Sequence, residues 1–406
     1  MKSCGYHKMR SVLKMDVQEG ARAEHLGVSL WKILVVTVIG VFVVFAVVFI
    51  LKKPQETQTE NIMLEKSTST GPVRIVNGNL YVKGEPFFIK GMGYNPIPIG
   101  RSYAYDFTLD PQIYRRDFPM LREMGVNTIR VWRKVTSREF LDSAYNNGQN
   151  PIYVIMGFHV EPTLVSDPTY RQAVLNDFKE YVRRFKDHPA VLMWCVGNEV
   201  EFQIQNLWPG DETKLRDWFS LLNELAKAAF EVEGQSYHPV ITSAAEIYVI
   251  GENSIGSDDG SLKFLDAWGA TLFRGRSFEG AFDQFRSRSL KPLVVTEFGI
   301  DAWDNLQKKE DENAQAEYAK DLLRELFEAG ERILGGCYFE WTDEWQKSGN
   351  PSAHDIGGFS MPSFPDGVAN EEWFGVCRVL ENRAGGVDIL QPRSVYNIIK
   401  EKYLTS

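Results

Sequence analysis

The chain has 406 residues, of which 44% are hydrophobic and 24% are charged, an ordinary globular composition with ample material for a core. Its net charge of −9 is unevenly distributed, because residues 1–53 contain eight Lys or Arg against three Asp or Glu, and the remainder carries −14. An acidic main part argues against nucleic acid as a partner.

The first pronounced feature is an apolar run at residues 33–51, nineteen residues without a charge. At 1.5 Å per residue a helix of this length spans about 28 Å, enough for the hydrocarbon core of a bilayer. Lys52 and Lys53 follow it, where a signal peptide would show a small-residue cleavage site. We therefore predict an uncleaved transmembrane anchor.

The charges around this run predict its orientation. Six Lys or Arg precede it in residues 1–32, more than follow soon after it. By the positive-inside rule we predict a single-pass protein with a cytosolic N-terminal tail, residues 1–32. The C-terminal domain would then be exported, to a periplasmic or extracellular location.

Residues 52–72 are rich in Gln, Glu, Thr and Ser, which indicates a linker. The globular domain is predicted to occupy residues 73–406, and it opens with a β-hairpin over residues 73–83 that turns at Asn77-Gly78-Asn79.

After the hairpin, apolar strand-like runs alternate with amphipathic helical segments. Asp110 and Asp167 are predicted helix N-caps, and each is followed by proline. Eight alternations predict an α/β protein, a (β/α)8 TIM barrel preceded by the short hairpin and the transmembrane helix. The predicted strands are 87–94, 126–132, 152–159, 190–196, 240–244, 264–273, 293–296 and 334–341. The predicted helices are 110–124, 137–146, 167–186, 212–232, 278–288, 313–329 and 394–402.

Two of the predicted strands deliver a glutamate to their carboxyl ends. The apolar run 190–196 stops at Gly197 and is followed at once by Asn198 and Glu199, and the run 293–296 is followed by Glu297. The active sites of parallel barrels lie on the loops after the strands, so both carboxylates are expected on one rim. Paired carboxylates there are the minimum equipment for cleaving a glycosidic bond.

These motifs resemble those of the clan A glycoside hydrolases, also called the 4/7 superfamily. The resemblance rests on residues 197–199 (Gly-Asn-Glu) and 296–299 (Thr-Glu-Phe-Gly) and covers about residues 73–400. Residues 127–132 (Asn-Thr-Ile-Arg-Val-Trp) resemble the strand-two segment of the clan, and 335–343 resemble strand eight of the family 2 catalytic barrel. Residues 109–130 are also similar to the fungal β-1,3-glucanosyltransferases.

The resemblance implies a retaining, double-displacement mechanism. Glu297 after strand seven would be the nucleophile, Glu199 after strand four the acid/base, and Arg130 would keep Glu297 ionised. The carboxyl groups of Glu199 and Glu297 would lie about 5–5.5 Å apart. Trp341 would be a stacking floor for the sugar. Further predicted substrate contacts are Asn198, Tyr94, Asn95, His159, Glu246 and Asp343.

Three functions remain open from the sequence. The first is a membrane-anchored retaining β-glycosidase acting on an oligo- or polysaccharide with a β-linkage. The second is a transglycosylase that uses the same residues, with a sugar acceptor in place of water. The third is a non-catalytic glycan-binding barrel. We predict no cofactor and no metal, because the histidines and the cysteines at 4, 195, 337 and 377 lack metal-binding spacing.

Overall fold

The structure is a computed structural model that describes residues 70–405. The predicted tail at 1–32, the anchor at 33–51 and all but the end of the linker at 52–72 lie outside the described residues. Between residues 70 and 405, no helix is both long enough and apolar enough to cross a membrane.

The predicted barrel is confirmed. Eight parallel strands close on themselves, each paired with its neighbours in chain order, and the eighth strand completes the ring by pairing with both the seventh and the first. In chain order the barrel strands are Ile89–Gly93, Thr128–Arg130, Tyr153–Phe158, Val191–Asn198, Val240–Ala244, Ala267–Thr271, Leu293–Phe298 and Ile333–Tyr338.

Helices alternate with these strands. Asp110 and Asp167 cap their helices as predicted, because their carboxylates accept from the backbone N–H groups of Gln112 and Tyr170 at 3.0 and 2.8 Å. The α-helices are Pro111–Glu123, Arg138–Tyr145, Pro168–Phe185, Val200–Leu207, Glu212–Glu233, Ala281–Arg288, Glu312–Glu328 and Ser394–Thr405.

The predicted hairpin is present, Val73–Val76 with Asn79–Val82, and a third short strand, Glu85–Pro86, extends it. Its apolar residues, including Val73 and Leu80, belong to the same buried cluster as the barrel residues Ile89 and Ile155. The hairpin therefore closes the barrel at the end where the strands begin, which leaves the opposite end open for a site.

Three differences from the predicted elements have local causes. The sixth strand begins at Ala267 rather than at residue 264, because the Phe264 N–H bonds to the Asn223 side chain instead of a neighbouring strand. The helix Val200–Leu207 was not predicted, since its eight residues directly follow the fourth strand. The helices Ala281–Arg288 and Glu312–Glu328 begin within a turn of their predicted starts at residues 278 and 313, which is ordinary uncertainty in helix boundaries.

The long segment after the eighth strand was predicted as a loop, and it contains two small antiparallel sheets. Their strands are Phe359–Ser360, Val368–Ala369, Cys377–Leu380 and Ile389–Pro392. A further two-stranded pair, Trp303–Asp304 with Lys309–Glu310, follows the seventh strand. The segment packs through Phe364 and Phe374 against Phe339, at the carboxyl ends of the barrel strands.

Candidate active site

A cavity of about 560 Å³ lies at the carboxyl ends of the barrel strands. Its polar lining includes both predicted catalytic glutamates, and its apolar lining comes mainly from rings on the loops after strands six and eight. A cavity of this size is typical of small-molecule sites. The acidic and basic side chains that line it are Glu199, Glu246, Glu297, Glu344, Glu371, Arg133 and Lys347.

The fourth strand turns sharply to present Glu199. Its pairing with the fifth strand is irregular between Cys195 and Asn198, and Gly197 has a φ of +74°. A Cβ on Gly197 would lie 2.8 Å from Trp218, so both conformation and space require glycine here. Glu199 itself has a left-handed φ of +50°, and its N–H donates to the Ser243 carbonyl at 2.7 Å. Such bulges and rare conformations re-aim side chains at functional sites.

The seventh strand presents Glu297 by a similar device. Its pairing with the sixth strand is also irregular, between Val295 and Glu297. One carboxylate oxygen, Oε1, accepts from Arg130 Nη1 at 2.6 Å and from Trp132 Nε1 at 2.8 Å. Arg130 is almost fully buried and also donates to Asn198 Oδ1 at 2.6 Å. Arg130 therefore connects the ends of the fourth and seventh strands through its hydrogen bonds to Asn198 and Glu297.

The two carboxyl groups have different electrostatic surroundings. Burial, and secondly the negative charge of Glu297, raise the pKa of Glu199 to about 7, although a hydrogen bond from the Thr271 side chain opposes the shift. Glu199 is therefore about half protonated at neutral pH and mostly protonated below it. Glu297 instead accepts two N–H groups at one oxygen, and one of them comes from the guanidinium of Arg130.

Among the predicted substrate contacts, the structure brings Asn198, Asn95 and Glu246 to the cavity wall. Asn95 donates to Glu344 Oε1 from within the cavity lining. Glu246 pairs with Arg274, whose Nη2 lies 2.6 Å from Glu246 Oε1. Arg130 does not line the cavity, but it donates hydrogen bonds to Glu297 and Asn198, which do.

The structure does not place Trp341 or Tyr94 where a sugar could touch them, since neither has exposed surface. Trp341 lies near Tyr396, with ring centroids 6.5 Å apart. The Tyr94 hydroxyl donates to Asp117 at 3.0 Å. The prediction that a sugar stacks on Trp341 is therefore wrong. The eighth strand ends at Tyr338, and beyond it Phe339 lines the cavity instead of Trp341.

Asp343 and His159 are also outside the cavity. Asp343 is buried and binds Arg393 through both oxygens, at 2.7 and 2.8 Å, so it is engaged in an ion pair. The His159 side chain is 66% exposed, and its Nε2 lies 3.9 Å from Glu161. Neither geometry supports the predicted contact with substrate.

Several cavity residues were not identified from the sequence. Trp132 lies two residues beyond Arg130, so alternation along an extended chain would have suggested that both side chains face the same way. Phe339 and Phe273 pack edge to face, with centroids 5.6 Å apart, and both line the cavity. Glu344 and Lys347 come from the segment after the eighth strand, whose course no local pattern reveals.

Comparison with known proteins supports the resemblance drawn from the motifs. A glycoside hydrolase family 72 model, described as glucanosyltransferase, matches residues 62–212. The matched region includes Arg130 and Glu199 and ends before Glu297. The chain is similar to clan A glycoside hydrolases.

Three curated relatives illustrate the range of that similarity. A 1,3-β-glucanosyltransferase of Saccharomyces cerevisiae is 30% identical over 141 residues, which cover 33% of this chain and 29% of the relative. A β-glucuronidase of Mus musculus is 25% identical over 255 residues, covering 62% and 37% of the two chains. A 1,3-β-glucanosyltransferase of Schizosaccharomyces pombe is 23% identical over 294 residues, 68% of this chain and 55% of the relative. The chain thus spans between 29% and 55% of their lengths.

Solved structures show the same barrel. A family 2 β-galacturonidase of Eisenbergiella tayi aligns with a TM-score of 0.57 at 15% identity, over 82% of this chain and 54% of that one. A β-glucuronidase of Bacteroides uniformis aligns with the same TM-score at 18% identity, over 82% and 37%. At these identities the likeness establishes the fold alone. The barrel implied by the resemblance of strand eight to the family 2 enzymes is therefore confirmed as a fold.

Proposed function

We propose that this chain is a retaining enzyme of β-linked glycans, a glycosidase or transglycosylase that works by double displacement. The observation that carries the proposal is the shared cavity: Glu199 follows strand four, Glu297 lies near the end of strand seven, and both line one cavity with contrasting surroundings. In the first step Glu297 attacks the anomeric carbon while protonated Glu199 gives its proton to the leaving oxygen. In the second, Glu199 takes a proton from water or from an acceptor hydroxyl.

A covalent trap tests this assignment. After incubation with a 2-deoxy-2-fluoro-β-glucosyl fluoride, whose glycosyl-enzyme breaks down slowly, mass spectrometry is expected to find the label on the peptide containing Glu297. NMR of the products from an aryl β-glycoside is expected to show retained anomeric configuration. A label on Glu199 would reverse the roles. Inverted configuration would exclude double displacement.

Transfer is a second outcome of the same chemistry, and the glucanosyltransferase relatives favour it. Incubation with a single (1→3)-β-glucan oligosaccharide separates the two outcomes. Products longer than the substrate indicate transfer, and only shorter products indicate hydrolysis. A binding protein without activity would give neither, with Glu297→Ala and the parent chain indistinguishable.

We propose further that the sugar at the cavity centre is neutral rather than a uronic acid. Lys347 lies 3.2 Å from Glu344 and 3.9 Å from Glu371, so its charge is already neutralised by carboxylates in the lining. Arg274 is likewise paired with Glu246. Arg133 donates to the backbone carbonyl of Tyr103. A uronate would bring one more carboxylate to these groups.

Matched aryl β-glucoside and β-glucuronide substrates test the charge preference. The glucoside is expected to have the higher kcat/KM. A preference for the glucuronide would contradict the proposal. Arg133 would then be the group that binds the uronate carboxylate, and Arg133→Ala should raise KM for the glucuronide and leave KM for the glucoside unchanged.

The cellular setting is also a proposal. The apolar run at 33–51 would anchor the chain in a membrane, and the charges before it would place the barrel on the exported side. A glycan on the outer surface of a membrane would then be within reach of the cavity.

A further inference from the structure

Two exposed aromatic rings line the cavity next to Glu199. Phe202 is 43% exposed and lies on the helix Val200–Leu207, three residues after Glu199. Tyr248 is 49% exposed and lies in the short turn after the fifth strand. Its hydroxyl is 3.4 Å from Gln205 Oε1, so both rings are held against the same helix. Large rings left half in water beside a cavity suit a ligand with an apolar face.

The barrel topology places these rings on one side of the cavity. Strands four and five, which lead to Phe202 and Tyr248, lie across the eight-stranded ring from strands eight and one. The loops after strands eight and one supply other lining rings, Phe359 and Tyr103. Phe202 and Tyr248 are therefore half-exposed aromatic groups on the side of the acid/base.

The chemistry assigns that side to the leaving group. A general acid must reach the glycosidic oxygen, so the departing sugar lies beside Glu199. An acceptor that replaces it must present its hydroxyl to the same carboxylate. The two rings thus lie on the side where the leaving sugar departs and where an acceptor must bind.

We propose that Phe202 and Tyr248 form an acceptor platform, on which a sugar of a β-linked oligosaccharide stacks before transfer. The proposal rests on the double displacement described above. The acceptor hydroxyl oxygen forms a bond to the anomeric carbon, the bond from that carbon to the Glu297 carboxylate breaks, and the hydroxyl proton passes to Glu199. Binding at the platform holds the acceptor where water would otherwise react, which raises the ratio of transfer to hydrolysis.

The partition of the glycosyl-enzyme tests the platform. The donor is the β-fluoride of a (1→3)-β-linked glucose disaccharide, whose small leaving group does not need the platform, and the acceptor is the matching trisaccharide. For Phe202→Ala and Tyr248→Ala the acceptor KM is expected to rise on the order of tenfold, the effect of one truncated aromatic contact. The ratio of transfer product to free disaccharide should fall in proportion at low acceptor concentration.

Conservative and neighbouring variants separate this role from a structural one. Phe202→Tyr keeps a ring in place and is expected to keep the acceptor KM of the parent. Leu207→Ala alters an exposed residue, 53% accessible, on the same helix outside the cavity lining, and is also expected to leave the acceptor KM unchanged. Thermal unfolding of each variant checks that the barrel is intact.

The outcomes distinguish this inference from the function on which it rests. If the parent chain releases fluoride but both alanine variants partition like the parent, or the parent never forms a transfer product, the platform is excluded while double displacement stands. If the parent releases no fluoride and Glu297 takes no label from the fluorosugar, the proposed function itself fails.

Discussion

At the residue scale, the roles proposed for the two glutamates follow from their neighbours. Glu297 accepts hydrogen bonds from Arg130 and Trp132, which suits a carboxylate that must attack as an anion. Glu199 is held in a partly buried position near that charge, which suits a group that must carry a proton. Identical side chains thus have different surroundings, since burial and a nearby charge raise the pKa of Glu199 and Glu297 has a cationic partner.

Substitution of the two glutamates should have unequal effects. Glu297→Ala is expected to abolish nearly all turnover of every substrate, because no other group forms the bond to the sugar. Glu199→Ala is expected to retain glycosylation by activated aryl glycosides but to lose about 10²–10⁴-fold on natural glycosides, the usual worth of general acid–base help. Added azide should accelerate turnover of the aryl substrate by Glu199→Ala only. Equal loss in both variants on both substrates would contradict the assignment.

The pH profile follows from the raised pKa of Glu199. Since the first step needs its protonated form, kcat/KM for an unactivated glycoside should fall as pH rises through about 7. With a glycosyl fluoride, whose departure needs little acid assistance, the fall near pH 7 should be weaker or absent in kcat/KM. A profile that keeps rising to pH 9 with the unactivated substrate would exclude Glu199 as the acid.

Trp132 should contribute through a single hydrogen bond. In Trp132→Phe the donor to Glu297 Oε1 is lost while an aromatic ring remains. A hydrogen bond to a charged group is worth about 1.5–3 kcal/mol, so kcat is expected to fall by roughly 10–100-fold. Trp303→Phe, which replaces an indole elsewhere on the carboxyl-end loops and outside the cavity lining, is the matched control. An unchanged kcat in Trp132→Phe would show that Arg130 alone suffices.

At the element scale, the helix after the fourth strand is fastened to the next strand end by a carboxyl group. Glu201 is 1% exposed and its Oε1 accepts from the Ala245 N–H at 2.6 Å. Burial raises the pKa of Glu201 from its ordinary value of 4.5 to about 7. This contact joins the helix that carries Phe202 to the loop that carries Glu246 and Tyr248.

The burial of Glu201 should make stability depend on pH, because it disfavours the charged carboxylate, although the hydrogen bond from Ala245 opposes the shift. Because the pKa is higher in the folded state than in the unfolded chain, its contribution is fully present below about pH 4.5 and is lost as pH rises through about 7. Ionisation at pH 8 should therefore cost up to about 3 kcal/mol of unfolding free energy. Glu201→Gln, which can still accept from Ala245, should be more stable than the parent at pH 8. Chemical denaturation at pH 5.5 and pH 8 measures both, and a gain of equal size at the two pH values would contradict the titration argument.

At the scale of the whole molecule, the chain would combine a barrel with a separate means of attachment to a membrane. The barrel buries its own core within residues 73–405, and the hairpin seals the end away from the cavity. Residues 33–51 have the length and composition of a bilayer span.

Fractionation of cells tests the attachment. Full-length protein is expected in the membrane fraction, and residues 54–406 expressed alone are expected to be soluble, because the apolar run is removed. Protease added outside intact cells should release the barrel if it is exported. A barrel protected in intact cells and cut only after lysis would reverse the predicted orientation.

The sequence by itself determined the number of barrel strands and which of them end in Glu199 and Glu297. Those features are local, since each is an apolar run of strand length followed within a few residues by a polar group, and the closed ring then brings all strand ends to one rim. Arg130 was also predictable as the support of Glu297, through its place in the strand-two motif.

Only the tertiary structure decided which aromatic side chains face the cavity. Trp341 and Phe339 stand two residues apart, yet Phe339 lines the cavity while Trp341 is buried. Alternation predicts the direction of a side chain only while the strand lasts, and this strand ends at Tyr338. Beyond strand ends, the direction depends on what packs against the loop, such as Phe374 against Phe339, and such contacts join residues distant in the sequence.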